Sequence, residues 1–189
     1  MIEKEQIGVI ALGGNLSFDQ NPPRITLRNA TNELIARGVR VLAESRYFTT
    51  PCFPAGAGPD YINAAISFSS ELSPAALLQL LHEVEAAYGR AREQRWGMRT
   101  LDLDLICYGD RILPDRESYD AWRQLDPARQ TKLAPDQLIL PHPRLQDRGF
   151  VLVPMADVAP EWHHPVLGLT VQEMLAALPA RDLAEIRPL

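Results

Sequence analysis

Arg99-Thr100-Leu101-Asp102-Leu103-Asp104-Leu105-Ile106-Cys107-Tyr108 is the stretch on which the fold turns. Apolar and acidic residues alternate through its centre. Successive side chains of a strand point to opposite faces, so Leu101, Leu103 and Leu105 enter a core while Asp102 and Asp104 share the other face. Such a strand belongs to a sheet with one packed face and one polar face.

The surrounding segments supply its neighbours. Ser73-Pro74 is a cap followed by proline at the first helical position. Leu77, Leu78, Leu81, Val84 and Tyr88 then recur at helical spacing, and Gly89 ends the helix. Further upstream, the apolar run Ile7 to Leu12 closes in Gly13-Gly14-Asn15 and reads as a buried strand ending in a turn. Asn21-Pro22-Pro23 offers a cap and a starting proline for a helix with Leu27, Ala30, Leu34 and Ile35 on one face and Gly38 as its stop. Val39 to Thr49 reads as a second strand, residues 50 to 60 as a long loop, and Tyr61 to Ser69 as a third strand. The order strand, helix, strand, strand, helix, strand is that of a ferredoxin-like βαββαβ sandwich, an α+β fold. Two helices cover one sheet face, so the other is either covered by later chain or functional.

Beyond this unit, Asp110 to Gln137 is polar and aperiodic and reads as an insertion, partly helical at Tyr119 to Leu125. Val151 to Val158 is apolar and packs as a helix or turn. Thr170 to Glu173 forms a capping box that opens a last helix with Met174, Leu175 and Leu178. At 189 residues the whole chain, 1–189, is expected to be a single domain with an added C-terminal region.

Composition narrows the function. Nineteen Lys and Arg against 24 Asp and Glu leave a net charge of −5, which gives no general pull on nucleic acid or an anionic membrane. Two cysteines, Cys52 and Cys107, are too few for a disulfide framework and have no zinc spacing; both read as packing residues. The start, Met1 to Gln6, is charged and lacks a signal-peptide core, and no run of 18 apolar residues occurs. A cytoplasmic monomer with small-molecule substrates, without nucleic acid or membrane partners, is the expectation. Neither GxxxxGK[ST] nor GxGxxG is present, so neither a P-loop nor a Rossmann nucleotide site is supported.

The residues that carry chemistry cluster around the opening stretch. Asp102 and Asp104 lie one strand repeat apart, about 7 Å between Cα atoms, and two such carboxylates repel unless a cation joins them. Mg²⁺ suits this pattern, because it is held by one or two carboxylates plus substrate phosphates. The plainer reading is two solvated aspartates on an exposed face. Upstream, Arg90, Arg92, Arg95 and Arg99 lie within ten residues, and arginine is the preferred polydentate partner of phosphate. A solvated loop paired with Glu83, Glu85 and Glu93 is the plainer alternative. Downstream, His142 sits between Pro141 and Pro143, followed by Arg144 and Arg148. It could donate to a phosphate, act in proton transfer or be merely structural. The pair His163-His164 is assigned no metal.

Taken together, these motifs resemble the 6-hydroxymethyl-7,8-dihydropterin pyrophosphokinase family of folate biosynthesis. The matching stretches are Ala11 to Leu16, Thr50-Pro51, Pro59 to Ala65, Glu85, Gly89-Arg90, Arg95 to Asp104, Leu140 to Arg144, and Arg148 to Phe150. The resemblance spans residues 7 to about 158. It implies a ferredoxin-like fold and transfer of the diphosphate of ATP to the pterin hydroxymethyl group, with AMP leaving. It further implies that Asp102 and Asp104 hold two Mg²⁺ ions and act catalytically with Arg90 and Arg99. Glu85, Arg92, Trp96, Ile106, His142 and Arg148 would serve ATP. Thr50, Pro51, Phe53, Tyr61, Asn63, Asp102 and Phe150 would bind the pterin. The loops 55–59 and 90–97 are expected to close over the substrates. Gly14, His82 and Met98 depart from the family's usual serine, glutamine and proline. The alternatives are a catalytically silent paralogue that binds pterin or nucleotide, and a ferredoxin-like RNA-binding module. The intact carboxylates, arginines, His142 and Asn63 speak against the first. The negative charge and the absence of the exposed aromatic motif from the strands speak against the second.

Overall fold

The structure, a computed structural model, describes residues 7–52, 56–89, 98–130 and 133–189. Its first strand, β1 (Gly8–Gly14), is the hub of the sheet. It pairs antiparallel with β4 (Tyr61–Ser69) on one side and β5 (Asp102–Tyr108) on the other. The opposite edge of β4 takes β2 (Arg40–Glu44) and then β3 (Phe48–Thr50), and β3 pairs in turn with the two-residue β6 (Arg187–Pro188).

The stretch expected to form a single strand over Val39 to Thr49 is thus two. The break is made by Ser45, whose backbone N–H donates to the Ala65 carbonyl and whose Oγ accepts from Ala65 N–H at 2.8 Å. A side chain takes the place of a ladder partner and the strand restarts three residues on.

Two helices, α1 (Pro23–Ala36) and α2 (Pro74–Ala87), lie on one face of the sheet. Leu27, Leu34, Leu77, Leu81 and Val84 pack there against Ile10, Leu12, Ile66, Leu101 and Leu103. Ser73 caps α2 through Ala76 N–H, as its sequence implies. In α1 the N-cap is Pro22 rather than Asn21, whose amide instead donates to Asp19, and Ile35 is 48% exposed rather than buried. Gly38 takes φ +91°, the left-handed turn that ends the helix.

On the opposite face, α5 (Gly149–Val158) and α6 (Val171–Ala176) cover only part of the sheet. Val151, Leu152, Met155, Val171 and Met174 form a second core with Val9, Ala65, Ile106 and Cys107. The rest of that face, near the end of β1 and the starts of β4 and β5, stays open. Later chain thus covers one half of this face and leaves the other half as a cleft.

The insertion leaves and returns through a neck in which Leu113 and Leu140 exchange backbone hydrogen bonds at 2.9 and 3.1 Å. Inside it, α3 (Arg116–Arg123) begins earlier than Tyr119, because Asp115 caps it through Ser118 N–H. A short α4 (Pro127–Gln130) follows. Tyr119 is fully buried and shares a 2.9 Å hydrogen bond with Nε2 of the equally buried His164. A last short helix, α7 (Ala180–Leu183), precedes β6. No helix among the described residues is long and apolar enough to cross a membrane.

Candidate active site

The open half of the sheet is a cleft floored by Ala11, Gly13, Asn63, Asp102 and Asp104, with Phe150 and Val151 on its rim. The floor follows from alternation. Ile10 and Leu12 face the helices, so Ala11 and Gly13 face the cleft, and Leu101, Leu103 and Leu105 leave Asp102 and Asp104 there. Antiparallel register brings Asp104 opposite Ala11, and Asp102 and Asn63 to either side of Gly13. A Cβ at position 13 would lie 3.0 Å from Asn63 Oδ1, so glycine keeps this part of the floor low.

Asp102 receives a 2.5 Å hydrogen bond from Arg99 Nη1, and about a quarter of each side chain is exposed. Burial works against the Arg99 charge but is outweighed by Asp102, with Tyr61 and Asp104 adding, so its pKa is raised. Arg99 is therefore a fixed cation over the carboxylate pair.

A second wall comes from the segment after the neck. His142 N–H donates to the Ile106 carbonyl at 2.7 Å, which pins the segment to β5. His142 Nδ1 accepts from Arg144 N–H at 3.1 Å. That bond assigns the ring proton to Nε2, which becomes a donor. Burial, with Arg148 adding, pushes the His142 pKa down to about 3, so the ring is neutral at pH 7. Arg148 is also lowered by burial, while Asp104 opposes the shift. Its guanidinium lies 5.7 Å from the centre of the Phe150 ring.

Across the cleft, Asn63 Nδ2 donates to Thr50 Oγ1 at 2.7 Å, and both residues are buried. Tyr61 pairs with Thr50 in the β3–β4 ladder, and burial raises its phenol pKa, with Arg99 opposing. Pro51 follows directly.

The structure thus gathers Thr50, Pro51, Tyr61, Asn63, Arg99, Asp102, Asp104, His142, Arg148 and Phe150 around the open half of one sheet face. It does not bring Glu85 or Ile106 into the cleft floor. Ile106 is buried in the second core. Glu85, 1% exposed, reaches the outer edge of β5 and accepts from Leu103 N–H at 2.7 Å. Glu83 is engaged with Arg37 and Gln79. Phe53, Arg90, Arg92 and Trp96 lie outside the described residues, as do the loop 90–97 and residue 55 of the loop 55–59. Both cysteines are buried and free, and burial pushes the Cys107 thiol to about 12, in keeping with packing roles.

Sequence reasoning missed Asn15. It is 3% exposed and bonded to both Arg99 and Pro59. Its signals were its place at the end of the first strand, in a turn too weak to be a phosphate loop, and its inclusion in the family-like stretch Ala11 to Leu16, which assigned it no role. The departure at Gly14 has a local cause. A Cβ there would lie 2.6 Å from the Thr100 carbonyl oxygen, so this chain leaves no room for a side chain.

The donor set suits magnesium. Among the described residues no cluster of three or more His, Cys, Asp or Glu exists. Two carboxylates on one strand face, with Arg99 and Arg148 nearby, are the kind of donor set that Mg²⁺ accepts when phosphate oxygens and water supply the remaining ligands.

The sequence profile of 7,8-dihydro-6-hydroxymethylpterin-pyrophosphokinase (HPPK) matches residues 9–160. The chain belongs to the HPPK family. Its activity is that of the family, a pyrophosphokinase step in folate biosynthesis. It is 37% identical over 181 residues to the 2-amino-4-hydroxy-6-hydroxymethyldihydropteridine pyrophosphokinase of Synechocystis, covering 95% of this chain and 80% of the relative. It is 34% identical to that of Pseudomonas aeruginosa, with 94% of each covered. Among solved structures, Plasmodium falciparum HPPK-DHPS superposes with a TM-score of 0.61 over 92% of this chain at 13% identity. This chain spans 44% of that protein's length, and the likeness supports the α+β fold alone.

Proposed function

We propose that this HPPK transfers the β,γ-diphosphate of ATP to the hydroxymethyl oxygen of 6-hydroxymethyl-7,8-dihydropterin, releasing AMP, in a magnesium-dependent reaction. The observation that carries this reading is the pair Asp102 and Asp104 on the open face of β5, between a cationic wall and the Asn63–Thr50 pair.

Asp102 and Asp104 would hold two Mg²⁺ ions, whose charge offsets that of the triphosphate when bound. Arg99 and Arg148 give fixed positive charge on the phosphate side. His142, neutral and protonated at Nε2, donates to a phosphate oxygen rather than taking a proton. Asn63, held by Thr50, presents its carbonyl oxygen toward Gly13 and reads the polar edge of the pterin. Tyr61 and Phe150 bound the ring, with Pro51 completing that side. Asp102 lies between the two ligands and orients the hydroxymethyl group. Arg90 acts with Arg99 on the phosphates, Arg92 and Trp96 serve ATP, and Phe53 completes the pterin pocket; these four rest on matching position in the family. Glu85 acts on the nucleotide side through β5, whose Leu103 N–H it accepts, and Ile106 acts there as a residue of that strand whose carbonyl pins His142. Phosphoryl-type transfer needs mainly alignment and charge neutralisation, and these residues supply both.

We also propose that residues 1–189 act as one domain, as a monomer in the cytoplasm. Incubation with ATP, Mg²⁺ and the pterin, followed by nucleotide separation, tests the reaction. AMP formed only with the pterin present is the expected result. ADP would overturn the diphosphate step, and pterin binding without turnover would identify a silent paralogue. Omitting Mg²⁺ should abolish turnover. Light scattering should give the mass of one chain.

A further inference from the structure

We infer that Asn15 is a positioning residue that sets the two substrate sides of the cleft in register. This rests on the pyrophosphokinase reading of the site.

The turn at Gly13-Gly14-Asn15 is where β1 passes between the two sides. Asn15 is 3% exposed, and every polar group it carries on the side chain is spent on another segment. Its Oδ1 accepts from Arg99 N–H at 2.8 Å, and its backbone N–H donates to Arg99 O at 2.9 Å. Leu16 N–H adds a second bond to the same carbonyl at 3.0 Å. The backbone of Arg99 is therefore held on both sides by one residue, while its guanidinium grips Asp102. Asn15 Nδ2 turns the other way. It donates to the Pro59 carbonyl at 3.0 Å and lies 3.9 Å from Cys52 Sγ. Cys52 follows Pro51, and Pro59 stands two residues before Tyr61, both on the pterin side.

The partners dictate the residue type. One is a donor and the other an acceptor, and a carboxamide is the short side chain that offers both. The close approach of the segments leaves no slack for replacement. A Cβ at Gly14 would meet the Thr100 carbonyl at 2.6 Å, and one at Gly58 would meet Met98 at 2.9 Å with Asn15 Nδ2 at 3.6 Å. Movement of either segment is thus transmitted through Asn15. A residue filling only space could not distinguish the two sides, whereas Asn15 touches each with a different atom.

That difference provides the test. Asn15→Asp, read at pH 8.5 so that the carboxyl is ionised, keeps the acceptor for Arg99 and loses the donor to Pro59. Asn15→Ala loses both. Loss of one buried hydrogen bond corresponds to about tenfold in an equilibrium. For Asn15→Asp the expected result is a pterin KM raised about tenfold, an ATP KM within about twofold of the parent, and unchanged hydrogen-exchange protection of the Arg99 amide. Asn15→Ala should raise both KM values, lower kcat and lose the Arg99 protection. Two variants indistinguishable from each other in KM and in exchange would overturn the inference, as would two variants matching the parent. Should the parent form no AMP from the pterin, the pyrophosphokinase reading fails instead. The exchange of Arg99, which needs no turnover, would still decide the role of Asn15.

Discussion

Removing the Glu85 carboxylate should destabilise the protein and misplace the strand that carries Asp102 and Asp104. Among the described residues β5 is an edge strand, paired with β1 alone. Its outer Leu103 N–H has a carboxylate partner, Glu85 Oε1, at 2.7 Å in a setting where Glu85 is 1% exposed. Glu85→Ala deletes a charge-assisted hydrogen bond and leaves a buried amide without its acceptor, at a cost of about 2 kcal/mol. The vacated side-chain volume adds about 1 kcal/mol. Relief of burying a charge offsets part of this, so a net loss of about 3 kcal/mol is an upper figure. For a chain of this size that corresponds to a melting temperature lower by about 6–12 °C. Glu85→Gln keeps an acceptor oxygen and should lose at most about 1 kcal/mol. Thermal melts followed by circular dichroism give the comparison, and turnover of both variants at 20 °C gives the effect on the site. Glu85→Ala melting within 1 °C of the parent would refute the reasoning, because the Leu103 amide would then have no need of its carboxylate.

Asp102→Ala and Asp104→Ala should each lower kcat by about a hundredfold or more, with circular dichroism unchanged; near-parent Mg-dependent turnover would remove the metal assignment. Gly13→Ala places a methyl group 3.0 Å from Asn63 Oδ1 and should raise the pterin KM about tenfold, a shift of about 1.4 kcal/mol, while leaving the ATP KM unmoved. Acid should unfold the protein through two histidines held neutral in the fold, the buried His164 and the half-buried His142. His142 is lowered to about 3 and His164 to about 4, both chiefly by burial, against an ordinary 6.5. Because the unfolded chain binds the extra protons, stability is full above about pH 6.5 and falls as the pH drops toward 4 and below. Urea titrations at pH 7 and pH 5 should show this, and His164→Gln should flatten the slope by one proton.

How far the sequence could be read depended on whether a feature was written in one segment or two. Asp102 and Asp104 share a face because of alternation within seven residues, so the sequence alone placed them. The helix at 74–87 announced itself through Ser73-Pro74 and its leucine spacing. The division of Val39 to Thr49 did not, because the break depends on Ser45 meeting Ala65, 20 residues away. No glycine or proline marks it. Pairings such as Asn63 with Thr50, Glu85 with Leu103 and Asn15 with Arg99 are likewise products of packing between segments apart in sequence. For Glu85 the family resemblance implies a place near the nucleotide, and the structure adds a contact that no motif shows, an acceptor for the Leu103 N–H of the acidic strand. The beginning of α3 was misjudged by three residues, since Asp115 looked like one more charge in a charged stretch rather than a cap.

The neck formed by Leu113 and Leu140 has a consequence for how this protein can vary. The two hydrogen bonds there close the excursion upon itself before the chain reaches His142. Chain added or deleted beyond α3 changes only the entropy of a loop whose ends are already joined, a cost that grows slowly with length. Tyr119 marks the border of that freedom, since its contact with His164 belongs to the body of the molecule. Between Arg123 and Leu138 the protein therefore has a site where a tag, a fluorophore or a whole guest domain could be spliced in without disturbing the distance from His142 to the acidic strand.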